Sequence, residues 1–192
     1  MKLAVVGGKL QGVETCYLAH QAGWEILLVD KAPSVPARGL CDVFACHDVV
    51  RQGEEVVRFI RHADLVVPAL EDKAALASLS DICSRRGIPL AFDPEAYHIT
   101  SSKRKSDSLF RSLSLPVPRP GPDCDLPVIV KPVESSGSRG VMKIVDPEHL
   151  TSFFLKNKRH EKQWVVQEFL EGPSYSLEVV GLGERASTLQ TT

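Results

Sequence analysis

The sequence predicts an α/β fold in which a doubly wound parallel sheet leads into a smaller α+β unit. Three observations carry that prediction. Short apolar runs alternate with helical stretches over the first hundred residues. Those runs are apolar throughout, as in strands covered on both faces, not alternating apolar and polar. Past a cluster of prolines, strands outnumber helices. Strand–helix alternation with short links is what a parallel sheet with crossover helices requires.

Taken in order, residues 2–7 read as the first strand and 12–22 as a helix ended by Gly23. Residues 25–30 (EILLVD) form a continuous apolar strand, and 43–46 (VFAC) a short one. Residues 53–61 are helical, 64–68 (DLVVP) form a buried strand, 72–86 a helix closed by Gly87, and 89–92 (PLAF) the next strand. The character then changes. A polar helix in TSSKRKSDSLFRSL precedes Pro116, Pro118, Pro120, Pro122 and Pro127, a density that reads as a linker without regular hydrogen-bonded structure. VIVKP, a Ser/Gly loop and VMKIVD suggest a hairpin-like strand pair, 147–157 a helix, and WVVQEFL and YSLEVVG two further strands. The expected division is one domain over 1–99 and a second over 100–192.

Composition narrows the function. The 192 residues are 43% hydrophobic, enough to bury a core, and the net charge is -1. That balance gives no field to attract nucleic acid or an acidic membrane. No apolar run approaches the ~20 residues of a membrane span, and the start lacks the apolar core and cleavage site of a secretory signal. The five cysteines, Cys16, Cys41, Cys46, Cys83 and Cys124, include no C-x-x-C and read as the reduced thiols of a cytoplasmic protein. Cys46–His47 is the one close pair of soft ligands, with nothing else at ligand spacing, so no metal ligands are expected in the chain.

Three segments could carry chemistry. In GGKLQG, Gly7, Gly8 and Gly12 approximate a dinucleotide fingerprint, and Asp30 ends the second strand where a ribose-binding acid would stand. Lys9, however, occupies the middle position, where a side chain crowds a pyrophosphate. The loop is then either a tight turn or a ligand site to which Lys9 and Gln11 contribute. In VIVKPVESSGSRGVMKIV, Lys131 ends an apolar strand and a loop of small residues exposes N–H groups and hydroxyls suited to phosphate. No G-K-[ST] closes it, so it is not a Walker loop, and a flexible hairpin loop is the alternative. In WVVQEFLEGPSYSLEVVG, an extended segment offers the main-chain acceptor and donor that an adenine ring needs, and Glu178 is a carboxylate for ribose hydroxyls.

In this order the segments resemble the ATP-grasp ligases, and most closely the pyrrolysine-biosynthesis ligases among them. The resemblance rests on GGKLQG at 7–12, FDPEAYHIT at 92–100, KRKS at 103–106, the KP..ESS run at 131–136, VQEFLEG, and SLEVVG at 176–181. It implies a preliminary ATP-grasp domain over 1–99, the first part of an ATP-grasp domain over 100–192, and a further half not in this chain. It also implies an enzyme that joins the carboxylate of (3R)-3-methyl-D-ornithine to the side-chain amine of L-lysine, using ATP and Mg2+. The metal ligands are expected outside this chain, which alone is expected not to turn over.

By the same resemblance Lys103 and Lys131 are the phosphate-contacting lysines, and Ser135, Ser136 and Gly137 form the small-residue loop. Glu168 and Leu170 supply main-chain contacts to adenine, with Gln167 and Phe169 beside them. Glu178 reaches ribose or substrate, and Lys9, Leu10, Gln11 and Glu71 line the amino-acid pocket. Partners are then the small-molecule substrates 3-methyl-D-ornithine, L-lysine and ATP, with no nucleic acid and no membrane; a homodimer is left open. Two alternatives stand beside this reading: another ATP-grasp amino-acid or dipeptide ligase, and a non-catalytic nucleotide-binding fragment. A nucleic-acid patch at Lys103, Arg104 and Lys105 is disfavoured, because the run is short and lacks aromatic neighbours.

Overall fold

The computed structural model describes residues 1–121, 124–135, 137–182 and 185–191; of 159, 161, 182 and 189–191 it describes the backbone alone. Its contacts divide the chain into two compact units, Met1–His98 and Ile99–Thr192.

The first unit is a four-stranded parallel sheet in the order β3-β2-β1-β4, built from β1 (Lys2–Val6), β2 (Glu25–Asp30), β3 (Val43–Cys46) and β4 (Leu65–Pro68). Alternate residues of each strand face opposite sides, and both sides are buried. Leu3, Val5, Ile26 and Leu28 pack with Cys16 and Ala19 of α1 (Leu10–Gln21) and with Ala37 of a 3-10 turn, Pro36–Leu40. Ala4, Val6, Leu27 and Val29 pack with Val56 and Ile60 of α2 (Gly53–Ile60) and with Leu79 and Cys83 of α3 (Lys73–Arg86). Helices on both faces make the sheet doubly wound, as the apolar runs predict. The caps follow sequence chemistry. The Asp72 carboxylate accepts from the Ala75 amide, and Gly87 ends α3 at φ 63.

In the second unit, β5 (Val128–Pro132) lies between β6 (Met142–Ile144) and β7 (Trp164–Glu168), antiparallel to both. One face carries Val128, Val130, Ile144 and Val166 against Phe153 of α6 (Pro147–Asn157), with Trp164 edge-on to Phe153 at 4.9 Å. α4 (Pro94–Thr100) spans the division, and α5 (Lys103–Ser112) follows it. β8 (Leu177–Leu182) and β9 (Arg185–Thr191) pair as a separate hairpin whose Leu177, Val179 and Val180 are exposed.

Two expectations need correction, and two elements form that the sequence does not announce. Residues 89–92 do not form a strand: a single bridge joins Leu90 to Val66. The chain then leaves the sheet because Asp93 caps α4 through the amides of Glu95 and Ala96. FDPEAYHIT gives no expectation of α4, and the polar ending gives none of β9, yet both form. The proline-rich segment is not a free linker. Pro120 bridges Gln167, the Gly121 amide donates to the Val166 carbonyl (2.9 Å), and the Glu168 amide donates to the Arg119 carbonyl (2.9 Å). Prolines two apart leave the residues between them to face β7, so the missing N–H groups fall where no bond is due. The approach is close, since a Cβ on Gly121 would lie 2.8 Å from Val166 Cγ1.

The turn from β1 into α1 has equally little room. Gly7 has φ +108, and a Cβ on Gly12 would lie 2.2 Å from the Gly7 carbonyl oxygen. Gly12→Ala is therefore expected to destabilise the protein by about 1–3 kcal/mol through overpacking, despite the roughly 1 kcal/mol that alanine gains over glycine inside a helix. A lower urea midpoint at unchanged slope would register it.

Candidate functional site

Two groups of expected residues are brought together, one in each unit. In the first, the order β3-β2-β1-β4 reverses direction between β1 and β4. Ligands of open α/β sheets collect at that crevice, outside the carboxyl ends of the strands. Lys9, Leu10 and Gln11 follow β1 there, and Glu71 follows β4. Gln11 Nε2 donates to Glu71 Oε1 at 3.3 Å. Lys9 is the exposed N-cap of α1, and Leu10 is 73% exposed at its first turn. Tyr97, to which the sequence analysis assigns no role, donates its hydroxyl to the Glu71 carbonyl at 3.1 Å and stacks near Phe92. An aromatic shortly after the last apolar run was the signal available.

The dinucleotide alternative loses its key acid. Both Asp30 oxygens are taken by the chain itself, from the Gly8 amide at 2.7 Å and the Ala32 amide at 2.8 Å. A Cβ on Gly8 would lie 2.3 Å from Val35 Cγ2, so that glycine packs on the protein's own side chain. GGKLQG is a tight turn whose polar residues reach outward.

In the second unit, the face of β5 and β7 opposite α6 carries Lys131, Gln167 and, one step past β7, Phe169. Lys103 joins them from the first turn of α5. Its ammonium donates to the Ser135 carbonyl (2.9 Å) and hydroxyl (3.1 Å), while its amide donates to the Val133 carbonyl. Arg104 reaches the Trp164 carbonyl, so two members of the basic run are turned onto their own unit. Burial pushes Lys131 below the ordinary lysine pKa; Asp107 opposes that shift, and the charge of Lys103 adds to it. The Lys131 ammonium makes no hydrogen bond or ion pair among the described residues. Gln167 is buried with Oε1 unpartnered. Two neighbouring cations, one held in a desolvated place, and an orphaned acceptor on the same face fit a polyphosphate carrying a hydrogen-bonding head.

The Ser/Gly loop between β5 and β6 is exposed, with Gly137 at φ 59. Ser136 lies outside the described residues. Lys143 sits over the Phe169 ring at 3.5 Å. The Glu168 carboxylate is not directed at a ligand: it accepts from the Arg119 amide (2.8 Å) and from Arg119 Nε (2.6 Å). Those two bonds hold its pKa below the ordinary carboxylate range and raise that of Arg119. Leu170 is 64% exposed. Glu178 stands on β8 opposite Gln190, and among the described residues no bond joins it to the Lys131 group. Among the described residues no three His, Cys, Asp or Glu side chains could hold a metal ion, so the magnesium that the resemblance implies has no ligand set among them. The five cysteines are free thiols.

The depressed pKa of Lys131 fixes the sign of a test. The folded protein releases this proton before the unfolded chain does. Stability therefore rises with pH between the folded value and the ordinary 10.5, and that increment is lost as pH falls through the folded value. At neutral pH the charge is a liability that a bound anion relieves. Lys131→Met is expected to raise the melting temperature in phosphate-free buffer while abolishing the stabilisation given by added ATP, both measurable by calorimetry.

Comparison with known proteins agrees with this geometry. Residues 100–192 match the model of the ATP-grasp domain. The chain is 36% identical over 190 residues to the 3-methyl-D-ornithine–L-lysine ligase of Methanosarcina barkeri and 34% identical to that of Methanosarcina acetivorans. In each case the match takes in 99% of this chain and 50% of the relative, so the chain spans about half the length of these curated relatives. Among solved structures, N5-carboxyaminoimidazole synthetase from Staphylococcus aureus complexed with ADP superposes with a TM-score of 0.77 at 14% identity, covering 99% of this chain and 53% of that one. The L-amino acid ligase of Bacillus licheniformis gives 0.69 at 18% identity, over 99% and 49%. Sequence and fold thus converge, and the chain belongs to the ATP-grasp superfamily.

Proposed function

We propose that this chain supplies the amino-acid crevice and the first part of the nucleotide site of an ATP-dependent carboxylate–amine ligase of pyrrolysine biosynthesis. Residues 1–99 act as the preliminary domain and 100–192 as the first part of the ATP-grasp domain. The observation that carries the reading is the Lys103–Lys131–Gln167 cluster on one face of the β5–β7 pair, in a chain 36% identical to a 3-methyl-D-ornithine–L-lysine ligase. Lys103, Lys131, Ser135, Ser136 and Gly137 take the phosphates. Gln167, Phe169 and the main chain of Glu168 and Leu170 take the base, and Glu178 the ribose or substrate. Lys9, Leu10, Gln11 and Glu71 take the amino acid. The protein acts in the cytoplasm, on small molecules, with magnesium ligands supplied by residues other than those described.

In the reaction an oxygen of the 3-methyl-D-ornithine carboxylate bonds to the γ-phosphorus as the bond to the β-bridging oxygen breaks, releasing ADP. The neutral side-chain amine of L-lysine then adds to the acyl carbon. Phosphate leaves with the C–O electron pair, and the amine's extra proton passes to solvent. The two lysines neutralise charge on the transferring group and hold it in line. The exposed Glu71 carboxylate suits an ammonium, which must lose a proton from an intrinsic pKa of about 10.4 before attack.

Protein carrying this sequence together with a second ATP-grasp half, given ATP, magnesium, (3R)-3-methyl-D-ornithine and L-lysine, is expected to form ADP in step with ligated product, and the 192-residue chain alone is expected not to. Equal turnover with alanine or another amino acid in place of both substrates would favour the dipeptide-ligase alternative. Lys131→Ala is expected to lower kcat/KM by the ~1.5–3 kcal/mol of a charge-assisted hydrogen bond. Leu170→Met is expected to be nearly silent, because the amide and not the side chain meets the base. Normal activity in Lys131→Ala would remove that lysine from the site.

A further inference from the structure

We propose that the Glu168 carboxylate keeps the main-chain carbonyl of its own residue free for a nucleobase amine, by taking the one N–H that would otherwise occupy it. Arg119 and Glu168 are thereby a positioning pair for purine recognition. This rests on the nucleotide site proposed above and adds to it the device that prepares the base-binding edge.

The register of β7 shows the device. Toward β5 its hydrogen bonds fall on odd residues: the Phe169 amide donates to the Pro127 carbonyl at 3.1 Å, and beyond the strand the Val133 amide donates to the Gln163 carbonyl. Bonding positions alternate along an antiparallel strand. Val166 and Glu168 therefore turn their main-chain groups the other way, toward residues 119–121. There the Gly121 amide meets the Val166 carbonyl and the Glu168 amide meets the Arg119 carbonyl, both at 2.9 Å. Opposed residues in a hydrogen-bonded pair can exchange two bonds; among the described residues Gly121 and Val166 exchange one, and so do Arg119 and Glu168 through the main chain. The return bond, from the Arg119 amide to the Glu168 carbonyl, is diverted: that amide donates to Glu168 Oε1 at 2.8 Å, and Arg119 Nε locks Oε2 at 2.6 Å.

Among the described residues the released Glu168 carbonyl has no partner, and neither has the amide of Leu170, two positions on and on the same edge of an extended segment. A free acceptor beside a free donor complements the edge of adenine, whose 6-amino group donates and whose ring nitrogen accepts. Hypoxanthine, with a 6-oxo group and a ring N–H, presents the reverse pattern.

The test uses the 192-residue chain. In isotopically labelled protein without nucleotide, through-hydrogen-bond coupling should join the Arg119 amide nitrogen to the side-chain carboxyl carbon of Glu168 and not to its carbonyl carbon. Titration should show ATP binding more tightly than ITP. In Glu168→Ala the Arg119 amide is released to close on the carbonyl. ATP affinity should then fall about tenfold, the worth of one hydrogen bond, while ITP and inorganic tripolyphosphate bind as before. Glu168→Gln, which keeps a side-chain acceptor for the Arg119 amide, should retain the preference for ATP that Glu168→Ala loses, a difference that a general loss of structure would not give. The proposal is overturned by coupling to the carbonyl carbon in the parent chain, by an equal fall for ATP and ITP in Glu168→Ala, or by a Glu168→Gln variant that loses the preference as Glu168→Ala does. If those results appear while Lys131→Ala still abolishes ATP and tripolyphosphate binding, the nucleotide site stands without this device. If the parent chain binds neither ATP nor tripolyphosphate, both fall.

Discussion

The candidate nucleotide site depends on β7 being hydrogen-bonded along both edges. β5 fixes one edge, and its register places Lys131 opposite Val165 and Ile129 opposite Gln167. The proline-rich segment fixes the other edge through Arg119 and Gly121. A strand held on one side alone is free to slip, and a slip of one residue exchanges its two faces. Here such a slip would move Gln167 to the α6 side and bring Glu168 onto the Lys131 face. Held on both sides, β7 keeps Trp164 and Val166 against Phe153 and Gln167 beside Lys131, so the packing on one face and the candidate site on the other are set by the same bonds.

The first unit solves a different problem, that of ending two parallel strands side by side without closing the crevice between them. The solution is made almost wholly of backbone. Gly7 lets the chain pass so near Ala69 that a Cβ would lie 2.5 Å from its carbonyl oxygen, and Asp30 ties the Gly8 and Ala32 amides together. With backbone and one buried-edge carboxylate carrying the turn, Lys9, Gln11 and Glu71 are left free of structural duty. Gln11 and Glu71 hold each other only at 3.3 Å, an interaction that a ligand with an ammonium or carboxylate can replace.

Most of the first unit was legible because strands covered on both faces leave continuous apolar runs and glycines close the helices; EILLVD and VFAC fall on their strands residue for residue. PLAF misled because an apolar run carries no information about the residue after it, and Asp93 begins a helix at once. RASTLQT was illegible as a strand because among the described residues it pairs only with β8, and the described side chains of that hairpin are exposed, with no buried face to imprint a pattern. At the candidate nucleotide site, resemblance pointed to Lys103, Lys131 and the Gln167–Leu170 segment, and the structure gathers Lys103, Lys131 and Gln167 around one sheet face. It did not point to Arg119. Counting prolines suggested an unstructured link, whereas their spacing of two is what an edge strand tolerates.

That spacing has a consequence for how the segment can vary. Because Pro118 and Pro120 fall on the positions turned from β7, their identity matters little to the ladder, and any residue with an extended backbone would serve there. Their phase is another matter. Deleting or inserting one residue between Pro116 and Gly121 would turn the prolines toward β7 and bring a ring where an N–H must be, unzipping the edge without altering a single contact elsewhere. The segment is therefore tolerant of substitution and intolerant of a change in length, the reverse of what is usual for a surface loop.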